Sequence, residues 1–135
     1  VVDNDQLCKQ FAQILNGQGK WEKGGCTVSL HRTMNTTVLG KKSTRLMTAN
    51  VSFESLDQTG RALNLAEVAV LQEEVPVFIR TLSQYGLIVS ALHNHWLFTN
   101  PLIMYVHIQS VEPPLDFARK LAYAFQFLSI PFSDH

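Results

Sequence analysis

The sequence has no apolar run approaching the roughly 20 residues that a membrane-crossing helix needs, because every such stretch is broken by a charge, a histidine, an asparagine or a proline. A transmembrane segment is therefore not expected. Nor is there an excess of either charge: eleven Lys and Arg stand against eleven Asp and Glu, with no long run of one sign. That balance argues against nucleic acid as a partner and against a broad electrostatic footprint for an anionic membrane. The local basic patch Lys41-Lys42 with Arg45 reads as a solvated turn.

Cysteine is scarce. Cys8 and Cys26 are the two in the chain, 18 residues apart, which is neither a Cys-x-x-Cys metal spacing nor a dense disulfide framework. They read as buried free thiols, with a single helix-to-strand disulfide as the alternative in an exported protein. No Gly-x-Ser-x-Gly elbow occurs, and neither cysteine has a histidine close in sequence to activate it. Gly40-Lys41-Lys42-Ser43-Thr44 lacks the earlier glycine of a phosphate loop, Asn35 standing there instead. Asn35-Thr36-Thr37 and Asn50-Val51-Ser52 match the glycosylation pattern, a signal too short to weigh. The first residues, Val1-Val2-Asp3, carry no initiator methionine, which leads to the expectation of an upstream segment removed by processing or by design.

What is present is enough for a core. The 135 residues, 46% of them hydrophobic, suit a single domain spanning residues 1–135. Leu7, Phe11, Ile14 and Leu15 recur at helical spacing behind the candidate caps Asp3, Asn4 and Asp5, and Asn16-Gly17 ends that helix. Cys26, Val28 and Leu30 alternate with Thr27, Ser29 and His31, the mark of a half-buried antiparallel strand. Residues 35–42 read as a turn, 46–56 as a second strand and 61–71 as a third. Glu73-Glu74 and Pro76 open a helix closed by Gly86, strands follow over 87–95 and 102–109, and a last helix spans 115–128. If the third and fourth strands are parallel in one sheet, the crossover joining them is right-handed. The expected fold class is α+β: a single-domain two-layer sandwich, with a mainly antiparallel sheet of about five strands and helices packed on one face.

The chemistry concentrates in Ala91-Leu92-His93-Asn94-His95-Trp96 and, one short strand later, His107. Imidazole is the commonest neutral metal ligand and the side chain whose unperturbed pKa lies nearest physiological pH. On a strand, residues two apart share a face, so His93 and His95 are expected together, able to converge on one ion. His107 depends on the hairpin register. With Trp96 opposite Pro101 it falls on the other face, and with His93 opposite Tyr105 it joins the pair. The row Leu102, Met104, Val106 and Ile108 makes the better core face, which keeps His107 off the core, and Leu87, Val89 and Ala91 lean toward the core on the preceding strand. Glu67, Glu73 and Glu74 are carboxylates available to finish a metal site or to serve a His and Glu acid-base pair. Trp96, Phe98 and Tyr105 could line a ligand wall, although a core or dimer surface is the commoner use of such residues. The competing structural reading has the histidines donating to backbone carbonyls and packing beside Trp96.

The stretch from Glu74-Val75 through Arg80, Leu82 and Gly86, then Val89-Ser90-Ala91-Leu92-His93-Asn94-His95, Pro101, His107 and on to Leu121, resembles the LppY/LpqO-like family, a bacterial domain of unknown function. The Ala-Leu-His-Asn-His element with its downstream histidine is the specific part. The resemblance implies His93, His95, His107 and Glu74 as a candidate site, and an exported or envelope setting, with a cytoplasmic one as the alternative. The family pattern Glu-Val-Asn-Pro stands here as Glu74-Val75-Pro76-Val77, so the Asn it would supply is missing. The resulting expectation is a small-ligand- or metal-binding domain, the metal being a divalent transition ion such as Zn²⁺. The alternatives are a metal-dependent or His/Glu hydrolase and a non-catalytic module that forms a homodimer.

Overall fold

The structure is a computed structural model that describes residues 3–134; the Val1-Val2 start lies outside the described residues. Helix α1 (Asn4–Ile14) begins where Asp3 Oδ1 accepts the backbone N–H groups of Asp5 and Gln6, at 3.0 and 3.4 Å. It ends at Asn16, whose φ of 66° breaks the helical path. Its inner face carries Cys8, Phe11 and Ala12. The chain continues through β1 (Gly19–Glu22), β2 (Gly25–His31), β3 (Thr36–Val38), β4 (Lys41–Ser43), β5 (Thr48–Glu54) and β6 (Ala62–Leu71). A 3₁₀ turn (Gln72–Glu74) leads into α2 (Val75–Gln84), followed by β7 (Ile88–His93), β8 (Thr99–Asn100), β9 (Ile103–Glu112) and α3 (Pro114–Phe125).

Among the described residues, six strands form one antiparallel sheet in the order β1-β2-β5-β6-β9-β7. The expected α+β sandwich is what forms, with one more strand in the main sheet and a separate small sheet, β4-β3-β8, built partly from residues read as a turn. Strands β6 and β7 run the same way, but β9 lies between them, so the helix α2 carries the chain across an intervening strand. Alternation puts Cys26, Val28, Leu30, Ala49, Val51, Phe53, Ala66, Val68, Val70, Val106 and Ile108 into the main core, where they meet Phe11, Phe78, Phe117 and Leu121 of the helices.

Cys8 and Cys26 are joined as a disulfide, their Cα atoms 5.5 Å apart, which corrects the reading of two free thiols. The tertiary reason is how closely α1 approaches the edge of the sheet. A Cβ on Gly19 would come within 2.8 Å of Cys8 Sγ and 2.9 Å of Cys8 O, so glycine is what lets β1 pass beneath the helix.

The second sheet face is not uniformly open. At one end Leu46, Met47, Ala69, Leu71, Ile103 and Tyr105 form a second apolar cluster under the small sheet, with Met34 and Val38 packed against it. The remainder, carrying Thr27, Ser29, Asn50, Ser52, Glu67 and Gln109, faces outward.

Candidate functional site

The histidines meet because of one irregularity in β7. Val89 pairs with Ile108 on the core face, but Ser90 is an extra residue, and beyond it Ala91 pairs with His107 and His93 with Tyr105. Such a bulge moves every following side chain to the opposite face. His93 therefore lies on the open face with His107, and Ala91 leaves the core row where the alternation from Leu87 had put it. This is the second of the two registers that the sequence permits.

The two imidazoles then approach until their Nε2 atoms are 2.9 Å apart, with ring centroids at 4.9 Å. At that distance one ring donates N–H and the other accepts, so each fixes the tautomer of its partner; two imidazolium rings would present two donors and no acceptor. Strand β7 ends at His93, and His95 belongs to the loop beyond it rather than to the strand that alternation implies. It nonetheless stays on the same side, its ring centroid 6.0 Å from His93, 5.0 Å from Tyr105 and 4.9 Å from Trp96.

Glu67 is the cross-strand partner of His107 on β6. Directly opposed residues of an antiparallel pair have Cβ atoms about 4.5–5.5 Å apart, which puts the carboxylate within reach of the imidazole edge. Tyr105 closes the site from below. Its hydroxyl donates to Leu46 O at 2.6 Å, and burial pushes its pKa above the ordinary value, the negative charge of Glu67 adding to the effect. The phenol thus stays neutral and anchored to the connection between β4 and β5.

Glu74, the fourth sequence candidate, is held elsewhere. Its carboxylate takes a two-pronged ion pair from Arg32 at 2.9 and 2.7 Å and accepts from Leu71 N–H, Ser129 N–H and Ser129 Oγ. Burial on its own would raise this carboxyl, but the hydrogen bonds from Arg32, Leu71 and Ser129, with the Arg32 charge, outweigh it and hold the pKa below the usual range. All of its acceptor positions are in use. Among the described residues, no group of three or more His, Cys, Asp or Glu side chains stands arranged to hold a metal ion.

Beside the histidine pair the open face forms a trough of about 490 Å³, with His107, Ser90 and Glu67 at one end and Thr27, Ser29, Asn50, Ser52 and Gln109 along it. Sequence reading missed these residues as a site because each is an ordinary outward position of an alternating strand. The available signal was that the outward rows of three different strands hold hydroxyl and amide groups in place of lysine and arginine.

A family model described as Domain of Unknown Function (DUF1259) matches residues 9–127. The chain belongs to this family. The matched span of the DUF1259 domain contains the whole histidine site, the trough and the Arg32–Glu74 pair. Nothing matches among curated proteins or among solved structures.

Proposed function

We propose that the chain is a small-ligand-binding domain whose ligand lies in the trough on the open sheet face and meets the His93–His107 pair at its end. The observation that carries this reading is the convergence of two Nε2 atoms at 2.9 Å beside a polar trough. Ligand sites have volumes of about 300–1,000 Å³ with a few convergent polar groups, and the trough falls in that range. Hydroxyl and amide walls select a polar molecule rather than a strongly charged one. The imidazole pair supplies one donor and one acceptor to it, and Glu67 accepts from it.

Nitrogen-15 NMR spectra of the protein, recorded against a panel of small polyols, nucleosides and carboxylic acids, test the reading. At least one class is expected to shift the amides of Thr27, Ser29, Asn50, Ser52 and Gln109, and His107→Ala is expected to weaken that binding about tenfold, the effect of deleting one hydrogen-bond partner. A panel that leaves those amides unmoved overturns the proposal.

The same Nε2 convergence favours a second reading, in which His93 and His107 hold a divalent transition metal such as Zn²⁺. Two ligands at 2.0–2.1 Å on a tetrahedral ion stand about 3.3 Å apart, so the pair opens by a few tenths of an ångström. His95, on its exposed loop, and Glu67 then complete the set. Zn²⁺ is expected to raise the melting temperature of the wild type and not of His93→Ala; no shift in either rejects the metal. The resemblance to LppY/LpqO-like sequences, finer than the family itself, supports an exported or envelope setting, and the Cys8–Cys26 disulfide is the chemistry of an oxidising compartment.

A further inference from the structure

The small sheet ends in two neighbouring apolar turns. Leu39 is 74% exposed, Leu97 66%, Phe98 77% and Trp96 51%. Single exposed apolar residues are ordinary, but four on adjacent turns form a patch that asks for an occupant. The turns are bound to each other: Leu39 N–H donates to Phe98 O at 3.0 Å, and Val38 pairs with Thr99 just beneath.

The backbone at this point also runs against the residues it carries. Leu39 and Gly40 are the two central residues of the β3–β4 hairpin, with φ of 52° and 77°, a geometry that favours Asn-Gly. Phe98 has φ of 59° as well. Left-handed conformations are unfavourable for bulky residues, yet here two of them point apolar side chains into water.

Charge identifies the occupant. The turns of this tip lie within residues 23–53 and 75–111, and all eleven carboxylates of the chain lie outside those two stretches. The first stretch carries Lys23, Arg32, Lys41, Lys42 and Arg45. Arg32 is buried against Glu74, whereas Lys41, Lys42 and Arg45 are exposed and follow Leu39 within six residues, Lys41 opposite Val38 in the hairpin. An overall charge of zero conceals this local excess. Four side chains on a point are also too small a surface for a stable protein partner, which needs about 800 Å² on each side. A bilayer accepts a point: apolar and aromatic side chains enter the headgroup level while flanking cations meet lipid phosphates.

We propose that the Leu39 and Trp96-Leu97-Phe98 turns dock the protein on an anionic lipid bilayer, with Lys41, Lys42 and Arg45 against the headgroups. Because the His95 ring contacts Trp96, the docked tip sets the histidine site beside the lipid surface. The inference does not depend on what the trough binds.

Flotation with vesicles of phosphatidylcholine alone, and of phosphatidylcholine and phosphatidylglycerol in equal parts, tests it. Binding is expected to the mixed vesicles and to weaken with added salt. Lys41→Gln and Lys42→Gln should each lower it about fivefold, the effect of one cation near an anionic surface. The double variant Leu39→Asn, Phe98→Asn is expected to keep the wild-type circular dichroism and melting temperature or exceed it, since Asn tolerates φ above zero, while losing vesicle binding. No partition onto mixed vesicles overturns the proposal, as does partition that the folded double variant retains. Self-association that the double variant abolishes, without vesicle binding by the wild type, overturns it in favour of a second copy of the chain.

Discussion

Glu74 shows how far one residue's role depends on partners remote in sequence. Its place before a helix, next to Glu73, is that of an acidic group at the positive end of a macrodipole, and the family resemblance sets it in a ligand site. In the fold it is the buried acceptor for Arg32, 42 residues earlier, and for Ser129, 55 residues later. Deleting one partner of a buried ion pair leaves the other charge uncompensated, so Glu74→Ala is expected to destabilise the protein by about 3–5 kcal/mol in urea denaturation. The pH dependence follows from the lowered carboxyl. Its folded pKa lies below the ordinary value of 4.5, so the stabilisation is fully present above that value and is lost as pH falls below it through the folded one. Melting temperatures measured downward from neutral pH should therefore hold until the ordinary carboxylate range and then decline, and Glu74→Gln should flatten that part of the decline.

At the scale of elements, alternation was a sound guide until an element departed from regularity. The outward and inward rows of β2 and β5 follow the alternation in the sequence, because a strand buried on one face has few ways to place its apolar set, whereas β6 buries Asn64 and leaves Leu65 39% exposed. In β7 the faces are nearly equal in apolar content, and the bulge at Ser90 reversed the row that contains His93. No residue-level signal marks that bulge; β9 pairs along ten residues with β6 without a break, so the extra residue is taken up in β7 alone. The helix α1 makes a related point through Cys8, whose distance from Cys26 is set by packing on the sheet. The disulfide closes a loop of 18 residues, for which chain entropy predicts about 3 kcal/mol of stabilisation. Reduced protein, or Cys8→Ser, is expected to unfold at correspondingly lower urea concentration.

Over the whole molecule, the described C-terminal tail locks the two layers together. Phe132 is buried against Phe125 and beneath the Arg32 guanidinium, Ser133 exchanges backbone hydrogen bonds with His31, and Ile130 O accepts from Arg32 Nε. Phe132→Ala should cost about 3–5 kcal/mol in a denaturant titration, the magnitude of a core aromatic deletion, since Phe132 is 3% exposed. By itself the sequence determined the α+β class, the three helices, the inward rows of the central strands and the grouping of histidines, since these follow from local period and composition. Tertiary structure alone decided that His93 and His107 meet, that Glu74 serves Arg32, that the cysteines bond and that the Leu39 and Phe98 turns lie side by side. Each of these depends on which distant segments the sheet register and helix packing bring into contact, and local pattern carries no record of that.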